Sequence, residues 1–203
     1  MDKFSVIEPL PEIIGRPGGK AQQLCGTAMG SVVAPSYAGL FMGWFEKVHV
    51  CGSQAKEWSQ YINFWGRYID DVIVIWTGTT AQMSDYLTYL NENEFNVQFT
   101  MYMHPTRITF LDVELYVSQN RIQSTLFRKP TACNSILHWT SAHPNHVKRS
   151  IPYGELVRIR RNCSEDETYQ KNVAELTTRL SNRGYSSSTL RQAVKRAGKI
   201  DRI

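Results

Sequence analysis

The chain has 203 residues and a mass of 23.3 kDa, enough for one medium domain or two small ones. Hydrophobic residues make up 42% and charged residues 20%, a globular balance that excludes a disordered or collagen-like chain. No apolar run reaches the ~18–20 residues that a membrane span needs, and the opening MDKFSVIEPLPEIIGRPGG lacks a signal peptide's apolar core and cleavage site. Four cysteines, Cys25, Cys51, Cys133 and Cys163, are too few for a disulfide scaffold. They are expected as reduced thiols, Cys25 and Cys51 buried, in a protein of the nucleus or cytoplasm that is neither secreted nor membrane-bound.

Residues 1–120 carry 7 Lys and Arg against 12 Asp and Glu, a net of −5, and residues 121–203 carry 16 against 6, a net of +10. An acidic half suits cations and a basic half suits phosphates, although two solvated faces would give the same division.

Residues 1–21 hold three prolines and three glycines and read as an irregular N-terminal segment. The stretch Gly26–Ser31 (GTAMGS) is a turn, and Pro35 opens a helix whose Ala38, Phe41, Phe45 and Val48 recur at helical spacing. In FWGRYIDDVIVIW, residues 64–76, two β-prone arms flank an Asp-Asp pair, the pattern of a hairpin with the aspartates at its tip. Thr79 and Gln82 form a capping box for a helix carrying Met83, Tyr86, Leu87 and Leu90 and ending by Asn93. Alternation over Phe95–Met103 and Thr109–Val117, then Arg121–Phe127 after the turn at Ser118–Asn120, predicts an antiparallel meander. In that pattern Asp112 and Glu114 lie opposite the apolar face, where they are expected to be solvated, with bracing of the palm the alternative role for Asp112.

The basic half reads as helical. Pro144 and Pro152 each fit the first turn of a helix. Ser164–Glu167 has the S-x-x-E form of a capping box before Tyr169, Val173, Leu176 and Leu180. Gly184 is placed as a left-handed stop, and Ser186–Ser188 cap a last helix with Leu190, Ala193, Val194 and Ala197. Two helices joined by a short glycine-containing turn make a helix-turn-helix-like shape over about residues 131–199.

The chemistry centres on Tyr68-Ile69-Asp70-Asp71. Two adjacent carboxylates repel, and a divalent cation such as Mg²⁺ relieves that repulsion while keeping positions for water or phosphate. This suits a two-metal site for nucleotidyl transfer, whereas Asp-Asp also occurs in plain polar turns. Cys133, His138, His143, His146 and Cys163 contain no paired CxxC or HxxxH, so packing or phosphate contact is the favoured role over zinc. Arg128, Lys129, Lys148, Arg149, Arg158, Arg160 and Arg161, set among Trp139, Tyr153 and His143, suit a phosphate backbone with stacked bases, or a solvated charged face.

GTAMGSVVAPSYAGLFMGWFE, some forty residues before RYIDDVIVIW, resembles the B motif of reverse transcriptases, and RYIDDVIVIW resembles their C motif. ITFLDVE, FRKPT and LHWTSAHPNHVKR resemble the stretches after motif D and between palm and thumb in the Penelope-like retroelements. The resemblance covers roughly Gln22–Gly198. It implies an α+β fold with a partial polymerase palm over residues 22–130 and a helical thumb or helix-turn-helix-like region over residues 131–203. It implies that Asp70 and Asp71 hold the catalytic Mg²⁺, with Mn²⁺ able to substitute. It also implies that Tyr68 lies against the primer terminus and that Gly26, Met29 and Gly30 line the nucleotide pocket, where a Cβ would clash. RNA template and DNA primer, or other nucleic acid, are the implied partners.

The chain departs from that family upstream. Motif A requires an aspartate on a strand before motif B, yet before Gln22 the only aspartate is Asp2, and the fingers are lacking. A metal-ligand carboxylate acts as part of a unit, so the expectation is a C-terminal remnant with little or no polymerisation of its own. The rival expectation is a non-enzymatic nucleic-acid-binding module on a passive scaffold. A missing palm strand would leave an open sheet edge prone to self-association.

Overall fold

The computed structural model describes residues 3–9 and 30–201, which fall into two units, residues 1–108 and residues 109–203. The architecture is α+β, with antiparallel sheets in both units and a mainly helical C-terminal region. No helix among the described residues is long and apolar enough to cross a membrane.

The first unit corrects the reading of residues 1–21. Lys3–Pro9 is a strand, β1, because every proline and glycine of the segment stands at Pro9 or later, and KFSVI before them is β-prone. Strands β2 (Ile62–Tyr68) and β3 (Asp71–Trp76) form the expected hairpin, and β4 is Phe99–His104. The sheet order is β2-β3-β1-β4, so β1 occupies the position expected to be an open edge. It pairs antiparallel with β3, from Lys3 opposite Trp76 to Ile7 opposite Val72, and with β4, from Phe4 opposite His104 to Pro9 opposite Phe99.

One face of this sheet is covered by helix α1 (Ala34–His49) and, beyond the short helix α2 (Lys56–Ser59), by α3 (Thr80–Asn91). Phe45 of α1 and Met83, Tyr86 and Leu90 of α3 close on Val72, Val74 and Trp76 of β3 and Phe99 of β4. All eight are at most 2% exposed, and burial of such side chains contributes about 1.5–3 kcal/mol each. The capping box of α3 forms as expected: Thr79 Oγ1 accepts from Gln82 N–H and Gln82 Oε1 from Thr79 N–H.

The single predicted meander is divided. β4 belongs to the first sheet, whereas β5 (Arg107–Phe110), β6 (Val113–Ser118) and β7 (Arg121–Leu126) form a second, ordered β5-β6-β7. Leu111, at φ 55°, lies between β5 and β6, where the alternation had suggested one continuous strand.

Three helices complete the second unit: α4 (Asn145–Asn162), α5 (Asp166–Ser181) and α6 (Ser187–Ala197). They bury Leu156, Ile159, Tyr169, Val173, Leu176, Leu180, Leu190 and Ala193 in one core. Two expectations are corrected here. Pro152 does not begin a helix but lies buried inside α4. Its missing N–H forfeits one helical bond, and the apolar face it shares with Leu156 and Ile159 holds the helix continuous. Ser164 does not cap α5; its Oγ accepts from Ser124 N–H at 2.6 Å and donates to Ser124 O at 3.1 Å, tying the helix start to β7. The left-handed Gly184 (φ 81°) and the Ser186 cap, whose Oγ accepts from Thr189 N–H, are as predicted.

Candidate functional site

The turn of the β2–β3 hairpin carries Ile69 and Asp70, and Tyr68 pairs with Asp71 across it. Ile69 sits at φ 57°, a left-handed conformation that costs a β-branched residue on the order of 1–3 kcal/mol. Arg67 meets that cost in part. Its Nη1 donates to Ile69 O at 2.9 Å and its Nε to Glu46 Oε1 at 2.7 Å. Glu46, on α1, also accepts from Trp65 Nε1 at 3.0 Å. Both members of the Glu46–Arg67 pair are under 20% exposed, where such a bond is worth more than at the open surface.

Asp70 is exposed and Asp71 half-buried, and neither has an ion-pair partner among the described residues. The Asp71 carboxyl is held above its usual value, first by burial and then by the neighbouring Asp70 charge. Two unneutralised carboxylates are a fitting donor set for a hard divalent cation. Among the residues whose side chains are described, no group of three His, Cys, Asp or Glu forms a metal cage. The register supplies one further acidic position: Ile7 is opposite Val72 and Glu8 opposite Thr100, so Glu8 is the next residue of β1 at the level of Asp71.

Tyr68 is 57% exposed at the hairpin tip. Gly30 takes φ 89° just before α1, a conformation open to glycine at little cost. Gly26 and Met29 lie outside the described residues, as does Cys25. Cys51, expected as a buried thiol, is exposed at the end of α1, and Cys163 is buried.

In the second unit the seven predicted cations separate into two groups. Lys148 is 7% exposed; its Nζ donates to Ser141 O at 2.9 Å and stands 5.4 Å from the Trp139 ring centroid. Arg158 is paired with Asp112 and lies 3.8 Å from Glu155. Arg160 bridges Asp166 at 3.1 Å, reaches Ile200 O and covers the Tyr169 ring. Each of these three makes a contact within the chain, Lys148 buried and Arg158 47% exposed, and Asp112, itself 41% exposed, is the ion-pair partner of Arg158. Lys129, Arg149 and Arg161 are exposed. Arg128 lies near Arg179, whose guanidinium is held below its ordinary value by burial first and by Arg128 second.

Helix α6 carries a polar face that lies outside the predicted cation set. Ser187, Ser188, Arg191, Gln192, Lys195 and Arg196 are exposed along it, with Lys199 just beyond. Its sequence SSTLRQAVKRA contains no acidic residue, alone among the described α-helices. Arg196 lies over the Tyr153 ring at 4.3 Å, while Arg191, Lys195 and Lys199 have no ion-pair partner among the described residues. Lys195 and Arg196 also complement the C-terminal end of the helix dipole. The visible signal was Arg191 and Lys195 at i, i+4 on a helix whose apolar residues all face inward.

The α5–α6 connection is braced from outside the pair. Trp139 N–H donates to Arg183 O at 2.9 Å, the Tyr185 hydroxyl donates to Leu137 O at 3.1 Å, and the two rings meet edge-on at 5.3 Å. A Cβ on Gly184 would stand 3.4 Å from Trp139 Cβ.

The comparisons agree with this part of the chain. No curated protein and no solved structure matches it. Residues 135–195, which run from the loop before α4 almost to the end of α6, match the family model described as an animal helix-turn-helix domain.

Proposed function

We propose that the chain is the palm and helical C-terminal part of a retroelement-type reverse transcriptase that now acts chiefly by holding nucleic acid. The observation that carries this reading is the hairpin tip: two unneutralised aspartates at one end of a four-stranded antiparallel sheet, with the β1 strand beside them. An acid on β1 was the missing element of the sequence reading, and Glu8 stands at that register position. Glutamate in place of aspartate is expected to leave template-directed synthesis weak or lost.

In this reading Asp70 and Asp71 hold Mg²⁺, with Glu8 as the third acidic position, and the cation supplies charge neutralisation at phosphate oxygens when bound. Tyr68, exposed beside the turn, offers a ring to a terminal base. Primer extension and primer–template binding, with and without Mg²⁺, test it. Binding strengthened by Mg²⁺ in the parent and not in Asp70→Asn/Asp71→Asn is expected, with little or no extension. Binding indifferent to Mg²⁺ and to the substitution overturns the metal reading.

A second reading is favoured by the helix-turn-helix match together with the acid-free surface of α6. In it, a nucleic-acid-binding module works through Arg191, Gln192, Lys195 and Lys199 and the sheet unit is passive. Both readings predict binding that falls with added salt, because counterion release depends only on phosphates met.

A further inference from the structure

We infer that Arg67 and Glu46 are positioning residues that set the direction of the Asp70–Asp71 turn while withholding the arginine charge from it. A guanidinium three and four residues from a pair of carboxylates would ordinarily be drawn to them and compete with any cation. Here its Nε and Nη2 face Glu46, at 2.7 and 3.4 Å, and only Nη1 turns toward the hairpin, where it meets a carbonyl, Ile69 O, at 2.9 Å. Glu46 is held in turn by Trp65 Nε1 at 3.0 Å. The turn is thus fastened through its backbone to α1, and both aspartates keep their charge available. The planar guanidinium has donors on two edges, so it reaches a carboxylate and a carbonyl at once. A lysine has a single nitrogen and cannot take both places.

The Ile69 conformation gives this arrangement something to hold. A left-handed β-branched residue persists only where its surroundings over-determine it, and the Arg67–Ile69 bond is the side-chain contact made to that peptide. The geometry stands by itself; its consequence for a cation rests on the reading of Asp70 and Asp71 proposed above.

The test is NMR of the full chain, following the ¹³Cα shifts of Ile69, Asp70 and Asp71, with Mn²⁺ binding measured in parallel. Arg67→Lys is expected to displace those three shifts from their parent values, with the other strand residues unmoved. It is expected to weaken Mn²⁺ binding roughly tenfold, with the melting temperature changed by only a few degrees. Glu46→Gln, which keeps the shape but removes the counter-charge, is expected to move the same shifts less and still to weaken Mn²⁺ binding, because the arginine charge is no longer cancelled. Parent-like shifts at 69–71 in both variants overturn the inference. Displaced shifts with no Mn²⁺ binding in the parent, or with binding that survives Asp70→Asn/Asp71→Asn, uphold the brace and refute the metal reading.

Discussion

Ile7 of β1 pairs with Val72 of β3, the first residue after the Asp70–Asp71 pair. That pairing makes Lys3–Pro9 an interior strand of the sheet and sets Glu8 level with Asp71. If Glu8 shares a cation with the turn, Glu8→Gln reduces the Mg²⁺ enhancement of primer–template binding by a few-fold without shifting the melting temperature by more than a few degrees. Isothermal titration with Mg²⁺ and a thermal melt measure the two quantities. An unchanged Mg²⁺ response removes Glu8 from the set.

Because β1 lies between β3 and β4, its removal opens two strand edges at once, and unpaired edges template association. Deleting residues 1–9 is expected to turn the chain into aggregates or oligomers on size-exclusion chromatography. A monomeric deletion variant with parental thermal stability would contradict the role given to this strand.

Lys148 separates packing from recognition. Its ammonium is buried against Ser141 O and the Trp139 ring, so Lys148→Ala is expected to cost about 1–3 kcal/mol of unfolding free energy by leaving the carbonyl unpaired. Arg149→Ala, one residue on and exposed, is expected to cost within about 0.5 kcal/mol. Urea titrations of the two variants make the comparison. Equal, small effects would return Lys148 to the free cations.

Tyr116 gives the second unit an alkaline dependence. Its hydroxyl donates to Glu165 Oε2 at 2.6 Å, and burial first, then that bond and the Glu165 charge, push it up to about 12. With the folded value above the unfolded one near 10, the stability it contributes is complete below pH 10 and is lost as pH rises to about 12. The difference in stability between the parent and Tyr116→Phe is expected to shrink over that window. A difference that stays constant from pH 9 to 12 would show that the hydroxyl titrates normally.

Local signals were legible wherever they decided the structure by themselves. The Thr79–Gln82 capping box, the left-handed Gly184, the Ser186 cap and the β-prone arms around Asp70 and Asp71 all act within a few residues. Partner choice was not legible. Ser164 has the sequence of a cap, yet a strand forty residues earlier in the chain takes its hydroxyl. KFSVI is short, and only the ladders it makes with β3 and β4 hold it as a strand. Six of the seven predicted cations come in adjacent pairs, but clustering in sequence does not reveal that Arg158 meets Asp112 or that Arg160 meets Asp166. The cations of α6 were visible as residues; that Arg191, Lys195 and Lys199 meet no acid of a neighbouring element among the described residues was not.

Nucleic acid held through the exposed face of α6 is the part of the proposed function that the helix-turn-helix match supports. Fluorescence anisotropy of a labelled primer–template duplex across a salt series, comparing the parent with Arg191→Ala/Lys195→Ala/Lys199→Ala, tests it most directly. Each lost phosphate contact is expected to lower the log–log salt slope by about 0.9, so the triple variant should lose roughly 2–3 from the slope and bind at least tenfold more weakly at moderate salt, with its fold retained. Parental affinity and slope in the triple variant would contradict the claim.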